Sequence, residues 1–182
     1  GDIVESIKIT MDYIKGAYSL VIMGEDELVA VRDPHGFRPL VLGKKGDEYI
    51  FASENCAIDI LGGEVIRDVE PGEIVHIKDG ILSATQYAFD TSNNMCLMEY
   101  VYFSRPDSSL DKTNVHFARK LSGKILAQEA YYDADIVVGV PDSSLSAAIG
   151  YAEEARLPYE TGLIKNRYVG RTFIQPTQAM RA

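Results

Sequence analysis

The chain has 182 residues, 46% of them hydrophobic and 25% charged, which is enough apolar material to bury a core in one domain or two small ones. A formal charge of −9 argues against general attraction to nucleic acid or to an anionic membrane, since both need a positive field. No apolar run approaches the roughly 18 to 20 residues of a membrane-spanning helix and no basic-then-apolar leader opens the chain, so a soluble, cytoplasmic protein is expected.

In chain order, Ile3, Ile7, Met11 and Ile14 stand at helical spacing with Gly16 as a stop, which predicts an amphipathic helix over 3–14. Short β-rich runs follow at 17–23, 28–32, 39–43, 48–53, 64–69, 73–78 and 81–89. They are separated by turn chemistry such as Asp33-Pro34-His35-Gly36, Pro71-Gly72 and Asp79-Gly80, the last a two-residue hairpin signal. Only 55–61 reads as a short helix among them. The first half is therefore expected to be a helix followed by an antiparallel, hairpin-rich sheet.

The polar stretch Asp90-Thr91-Ser92-Asn93-Asn94 has no periodicity and is the expected domain boundary. Beyond it lie an apolar run at 96–103, a polar loop at 104–114, a helical stripe over 115–132, an apolar run at 134–141, a helix over 144–155 and a strand candidate at 159–164. That alternation indicates an open α/β sheet. The start at Gly1 and the uncapped end at Met180-Arg181-Ala182 read as the limits of a segment cut from something longer.

Two places could carry chemistry. Val140-Pro141-Asp142-Ser143-Ser144 falls where a buried strand gives way to a helix, which is where open α/β sheets bind ligands. Free backbone N–H groups there favour phosphate or carboxylate, although ordinary helix capping by serine would explain the same residues. The second place is the stretch from Gly162 to Ala182, which holds Lys165, Arg167, Arg171 and Arg181 and no acid. Such a cationic strip, interleaved with Tyr168, Gly170, Phe173 and Pro176, suits a segment that closes over an anion; a solvated loop or a subunit contact is the competing reading. His35, His76 and His116 share no motif spacing and read as surface or turn residues. Cys56 and Cys96 are too few for a disulfide framework and read as small buried side chains.

The strings VYFSRPDSSLD, VGVPDSSLSAAIGYAEEARLPYETGLIKNRYVGRTFIQPTQ, RDPHGFRPLVLG, FASENCAID and RDVEPGEIVHI resemble the amidophosphoribosyltransferases, also called glutamine phosphoribosylpyrophosphate amidotransferases. The resemblance is nearly collinear from about Gly16 to Arg181. It implies an α+β/α/β architecture: residues 1–91 would be the C-terminal half of an N-terminal-nucleophile (Ntn) hydrolase αββα glutaminase domain, and residues 92–182 the start of a type I phosphoribosyltransferase domain. The intact enzyme would be a cytoplasmic homo-oligomer. It would use glutamine-derived ammonia to displace pyrophosphate from phosphoribosylpyrophosphate, with Mg2+, in the first step of purine synthesis.

Carried over residue by residue, Lys165, Arg167, Tyr168 and Arg171 match the family's flap over phosphoribosylpyrophosphate. Ser143 matches a Mg2+ position, and Cys96 matches an iron-sulfur ligand of the cluster-containing branch. The catalytic N-terminal Cys, the ribose-phosphate loop and the remaining cluster cysteines have no counterpart here, so the segment alone is expected to be inactive. A non-catalytic phosphoribosyltransferase-fold regulator that binds phosphoribosylpyrophosphate or purines is the alternative.

Overall fold

A computed structural model describes residues 2–168 and 176–181. It opens with α1 (Ile3–Met11), whose N-terminus is capped by the Asp2 carboxylate accepting from Val4 N–H at 2.9 Å. Ile7 and Met11, four apart, bury one face of this helix. Beyond Met11 the chain leaves the helix earlier than the apolar spacing suggests, and Ile14 is exposed.

The β-rich region forms two antiparallel sheets rather than one. Strands β1 (Ser19–Met23), β2 (Glu27–Arg32), β6 (Glu73–Lys78) and β7 (Ile81–Gln86) lie in the order β1-β2-β6-β7. Strands β3 (Val41–Lys45), β4 (Glu48–Ala52) and β5 (Glu64–Asp68) lie in the order β4-β3-β5. Period-two alternation explains the layering. Val29, Val31 and Ile74 turn to α1, whereas Ala30 and Val75 turn to Leu40, Leu42 and Val69, with Tyr49 and Phe51 at the margin. The result is a helix, sheet, sheet stack.

Asp79 and Gly80 both adopt positive φ (50° and 75°) and close the β6–β7 hairpin with Lys78 opposite Ile81, as the Asp-Gly pair predicts. The short helix α2 (Asn55–Ile60) lies between β4 and β5 and buries Ile58.

The end of β2 holds two charged residues in the interior. Arg32 is 2% exposed and donates to the carbonyls of Arg38 (3.0 Å), Val69 (2.7 Å) and Gly36 (3.0 Å). Asp33 is fully buried and accepts from the backbone N–H groups of Tyr18, His35 and Phe37. Nearby, the hydroxyls of Tyr18 and Tyr87 lie 2.7 Å apart, and Tyr87 donates to the Arg32 carbonyl at 2.9 Å. Burial raises the ionisation of both phenols above the ordinary range.

The polar 90–94 stretch runs along the 34–37 loop. Ser92, Asn94 and Cys96 donate backbone N–H groups to the carbonyls of Pro34, His35 and Phe37. A single π-helical turn, Glu99–Phe103, follows. The expected polar loop at 104–114 contains a small hairpin, β8 (Ser109–Leu110) with β9 (Thr113–Asn114). Asp111 and Lys112 turn it at positive φ, and Leu110 is buried beside it.

The chain divides into two compact units, Gly1–Ala118 and Arg119–Ala182, with α3 (Val115–Glu129) starting in the first and continuing into the second. The second unit contains β10 (Val137–Val138), α4 (Leu145–Ala155), β11 (Tyr159–Glu160) and a last turn of helix, α5 (Gln178–Arg181). β10 and β11 pair in parallel, Val137 with Tyr159 and Val138 with Glu160, in the helix, strand, helix, strand order expected, though both strands are shorter than the runs that foretold them. α3 packs on α4 through glycine. A Cβ on Gly123 would strike the backbone of Ala147, and one on Gly150 the backbone of Lys120. Lys120 and Lys124 both reach Glu153 on α4, which holds that carboxyl below its usual range through the two hydrogen bonds. Among the described residues no helix is long and apolar enough to cross a membrane.

Candidate functional site

Two parallel strands ending side by side leave their following loops free to form a hollow. In the second unit that hollow has a volume of about 850 Å3. Gly139, Pro141 and Asp142 after β10 form one wall, and Thr161, Lys165 and Arg167 after β11 form the other. A Cβ on Gly139 would strike Leu145 of α4 and one on Gly162 would strike Val138 of β10, so small residues let the first loop pack on its own helix and the second loop pack on β10. Lys165 Nζ lies 3.0 Å from Asp142 Oδ2, joining the walls.

Lys165 and Arg167, two of the cations predicted for an anion site, thus meet the strand end that was singled out independently. Ser143 occupies the turn next to Asp142 and is half-buried, but it is not part of the cavity wall. The expected side-chain caps of α4 are not made. Ser144 stands at the N-cap in helical geometry, and its hydroxyl donates back to the Val140 carbonyl at 2.5 Å instead. Tyr168 is fully exposed and its N–H donates to Asn166 Oδ1 at 2.9 Å. Arg171, with Gly170 and Phe173, lies outside the described residues.

The first unit holds a second hollow of about 560 Å3, lined by Tyr18, Ser19, Arg38, Ser53, Glu54 and Glu99 among others. Glu99 is 7% exposed, pairs with Arg38 at 2.6 Å and accepts from the Ser104 hydroxyl at 2.9 Å. The Arg38 guanidinium also lies over the Phe103 ring, 5.0 Å from its centroid, and the Glu99 hydrogen bond raises its ionisation. Glu54 accepts from Arg105 N–H (2.8 Å) and from the Ser108 hydroxyl (2.5 Å), and that hydroxyl also lies 3.2 Å from Cys56 Sγ. Sequence reading missed this cluster because its members are spread over more than fifty positions and follow no periodicity.

Cys96 and Cys56 are both half-buried and unoxidised. Among the described residues no group of three or more His, Cys, Asp or Glu side chains converges as a metal centre. His35 Nδ1 lies 3.0 Å from Ser92 Oγ in an exposed polar contact, and His76 Nε2 lies 2.7 Å from Glu27 Oε2 in a part-buried one.

Residues 3–59 match the family profile of the glutamine amidotransferase domain, which places the first unit's helix and early strands in a mixed α/β domain of that class. Over nearly its whole length the chain is homologous to amidophosphoribosyltransferases. It is 55% identical over 177 residues to the one from Bacillus subtilis (strain 168), covering 97% of this chain and 37% of that protein. The corresponding protein from Archaeoglobus fulgidus is 49% identical over 181 residues, which is 100% of this chain and 40% of the relative. Among solved structures, the B. subtilis glutamine phosphoribosylpyrophosphate amidotransferase complexed with ADP and GMP superposes with a TM-score of 0.90 at 54% identity, covering 100% of this chain and 40% of that one. The chain therefore spans about two fifths of the length of the relatives it matches.

Proposed function

We propose that this chain is a segment of an amidophosphoribosyltransferase, the enzyme that makes phosphoribosylamine from phosphoribosylpyrophosphate and glutamine-derived ammonia. Residues 1–91 are then part of the Ntn-hydrolase glutaminase domain and residues 92–182 the opening of the type I phosphoribosyltransferase domain. The observation that carries the reading is the meeting of Lys165 and Arg167 with the 139–142 strand end around one cavity, a cationic wall where a pyrophosphate leaving group can be seated. The amidotransferase match at 3–59 favours this enzyme over a non-catalytic phosphoribosyltransferase-fold regulator, which has no use for a glutaminase domain ahead of it.

In this reading Lys165 and Arg167 bind diphosphate oxygens by charge-assisted hydrogen bonds, and Arg167 adds a planar fork suited to two oxygens at once. Tyr168 and Arg171 belong to the same closing flap and exclude water, so that ammonia rather than hydroxide reaches the sugar. Mg2+ fits the donors present. It takes hard oxygen ligands, keeps most of its waters and needs only one or two protein contacts besides the substrate's phosphates; Asp142 and Ser143, consecutive in the chain, are a carboxylate and a hydroxyl of that kind. When bound, the ion neutralises charge on the leaving group. An iron-sulfur cluster does not fit this chain by itself, because it requires four thiolates and the chain has two cysteines, of which only Cys96 matches a ligand position.

The test uses the protein at the length its own cell makes, supplied with phosphoribosylpyrophosphate, Mg2+ and ammonia. The expected result is release of diphosphate, with Lys165→Gln and Arg167→Gln each weakening phosphoribosylpyrophosphate binding about tenfold or more, as loss of a charged hydrogen bond predicts. Absence of turnover, or full affinity in both variants, removes the proposal. The 182-residue chain alone is expected to hydrolyse no glutamine above a heat-treated control.

A further inference from the structure

The lysine that reaches across the cavity already has an anion. Lys165 Nζ sits 3.0 Å from the Asp142 carboxylate, and both side chains remain largely in water, at 60% and 67% exposure. Among the described residues Asp142 is the one acidic residue of the cavity wall, which otherwise presents Lys165 and Arg167 as its charged groups. No other ion pair is found for Lys165 among the described residues. We infer that Asp142 is a built-in stand-in for the ligand: it occupies the anion position of Lys165, and binding of a diphosphate proceeds by exchange, the incoming oxygen replacing the Asp142 carboxylate on Lys165.

This inference rests on the reading of the cavity as a diphosphate site and adds to it a residue that sets affinity. The exchange is physically easy because an exposed pair at this distance contributes only about 0–1 kcal/mol. It parks the cation at the mouth, in a defined place, without holding it so firmly that a doubly or triply charged ligand cannot take it. The pair also makes this corner of the cavity nearly neutral, so that a singly charged anion gains little by displacing the carboxylate, whereas a diphosphate gains much. Asp142 thereby favours high-charge anions over the small ions that surround it.

The deciding measurement is a double-mutant cycle on the protein at the length its cell makes. Metal-free inorganic diphosphate is titrated calorimetrically into the wild type, Asp142→Asn, Lys165→Gln and the double variant. Both positions are exposed, so the variants are expected to fold, and circular dichroism checks that they do. Asp142→Asn is expected to bind diphosphate about two- to fivefold more tightly than the wild type, the fold-change equivalent to the pair that no longer has to be broken. In the Lys165→Gln background the same change is expected to bring no such gain, because the asparagine then frees nothing. Unchanged or weaker binding by Asp142→Asn overturns the exchange. So does an equal gain in the Lys165→Gln background, which would make Asp142 a plain repulsive charge. The phosphoribosylpyrophosphate assay described above reports separately on the site itself: turnover there with no gain here removes the exchange and leaves the enzyme reading in place.

Discussion

Asp68 shows how a single carboxyl can work against the fold it belongs to. It lies at the end of β5, and burial, reinforced by the negative charge of Asp111, raises its ionisation above the ordinary carboxylate range; Arg32 and Lys112 only partly oppose this. A carboxyl raised in the folded state is comfortable while protonated. Its contribution is therefore fully present below the unfolded value and declines as pH rises through the folded one. Asp68→Asn is accordingly expected to stabilise the protein near neutral pH by up to about 1 kcal/mol, the scale of a half-exposed charge, and to bring no gain in acid, where both states carry the proton. Urea unfolding midpoints at the two pH values measure the difference, and a gain that persists in acid would assign the effect to something other than charge.

At the scale of elements, the α3–α4 contact is the most sharply constrained. The Gly150 position faces the Lys120 backbone and the Gly123 position faces Ala147, so neither can carry a methyl group without moving a helix. Gly150→Ala is expected to cost about 3 kcal/mol, the upper part of the range for overpacking, because backbone rather than a flexible side chain stands in the way. That cost outweighs the better helix propensity of alanine, about 1 kcal/mol. Denaturant unfolding followed by circular dichroism tests it, and a stabilised variant would mean that the helices are not in contact there.

Much at this level was legible in the sequence. The β6–β7 hairpin followed from Asp79-Gly80 because only residues tolerant of positive φ close so short a turn. The split of the strands into two sheets, which the resemblance to an αββα domain implied, was not legible in the strand pattern itself, since it depends on β3 pairing with both β4 and β5, and alternation within one strand says nothing about its neighbours. Buried Arg32 and Asp33 were read past for a related reason. Charge beside an Asp-Pro-His-Gly turn signals surface, and only the carbonyls and N–H groups gathered from three separate segments make burial tolerable. The cavity cations were found through charge asymmetry, but the carboxylate opposite Lys165 was not, because the two partners are 23 positions apart with a helix between them.

For the molecule as a whole, the exposed sheet edges matter most. Among the described residues β1 and β7 each pair on one side only, and they present Val21 (50% exposed), Met23 (84%) and Ile81 (71%) to solvent. An apolar edge with unpaired N–H and C=O groups is a template for another strand. The 182-residue chain is therefore expected to elute as a dimer or larger species in size-exclusion chromatography with light scattering, and Val21→Lys with Met23→Lys to shift it toward monomer; a monomer at high concentration without those changes contradicts this.

The coupled phenols of Tyr18 and Tyr87 give the protein an optical gauge of its own. With eleven tyrosines and no tryptophan, its near-ultraviolet absorbance is a phenol signal throughout. In an alkaline titration the Tyr18 and Tyr87 phenols resist ionisation, because burial withholds water from the phenolate. Their rise in ultraviolet phenolate absorbance is expected to coincide with collapse of the ellipticity, so base melts the sheet stack and unmasks its chromophores in one event.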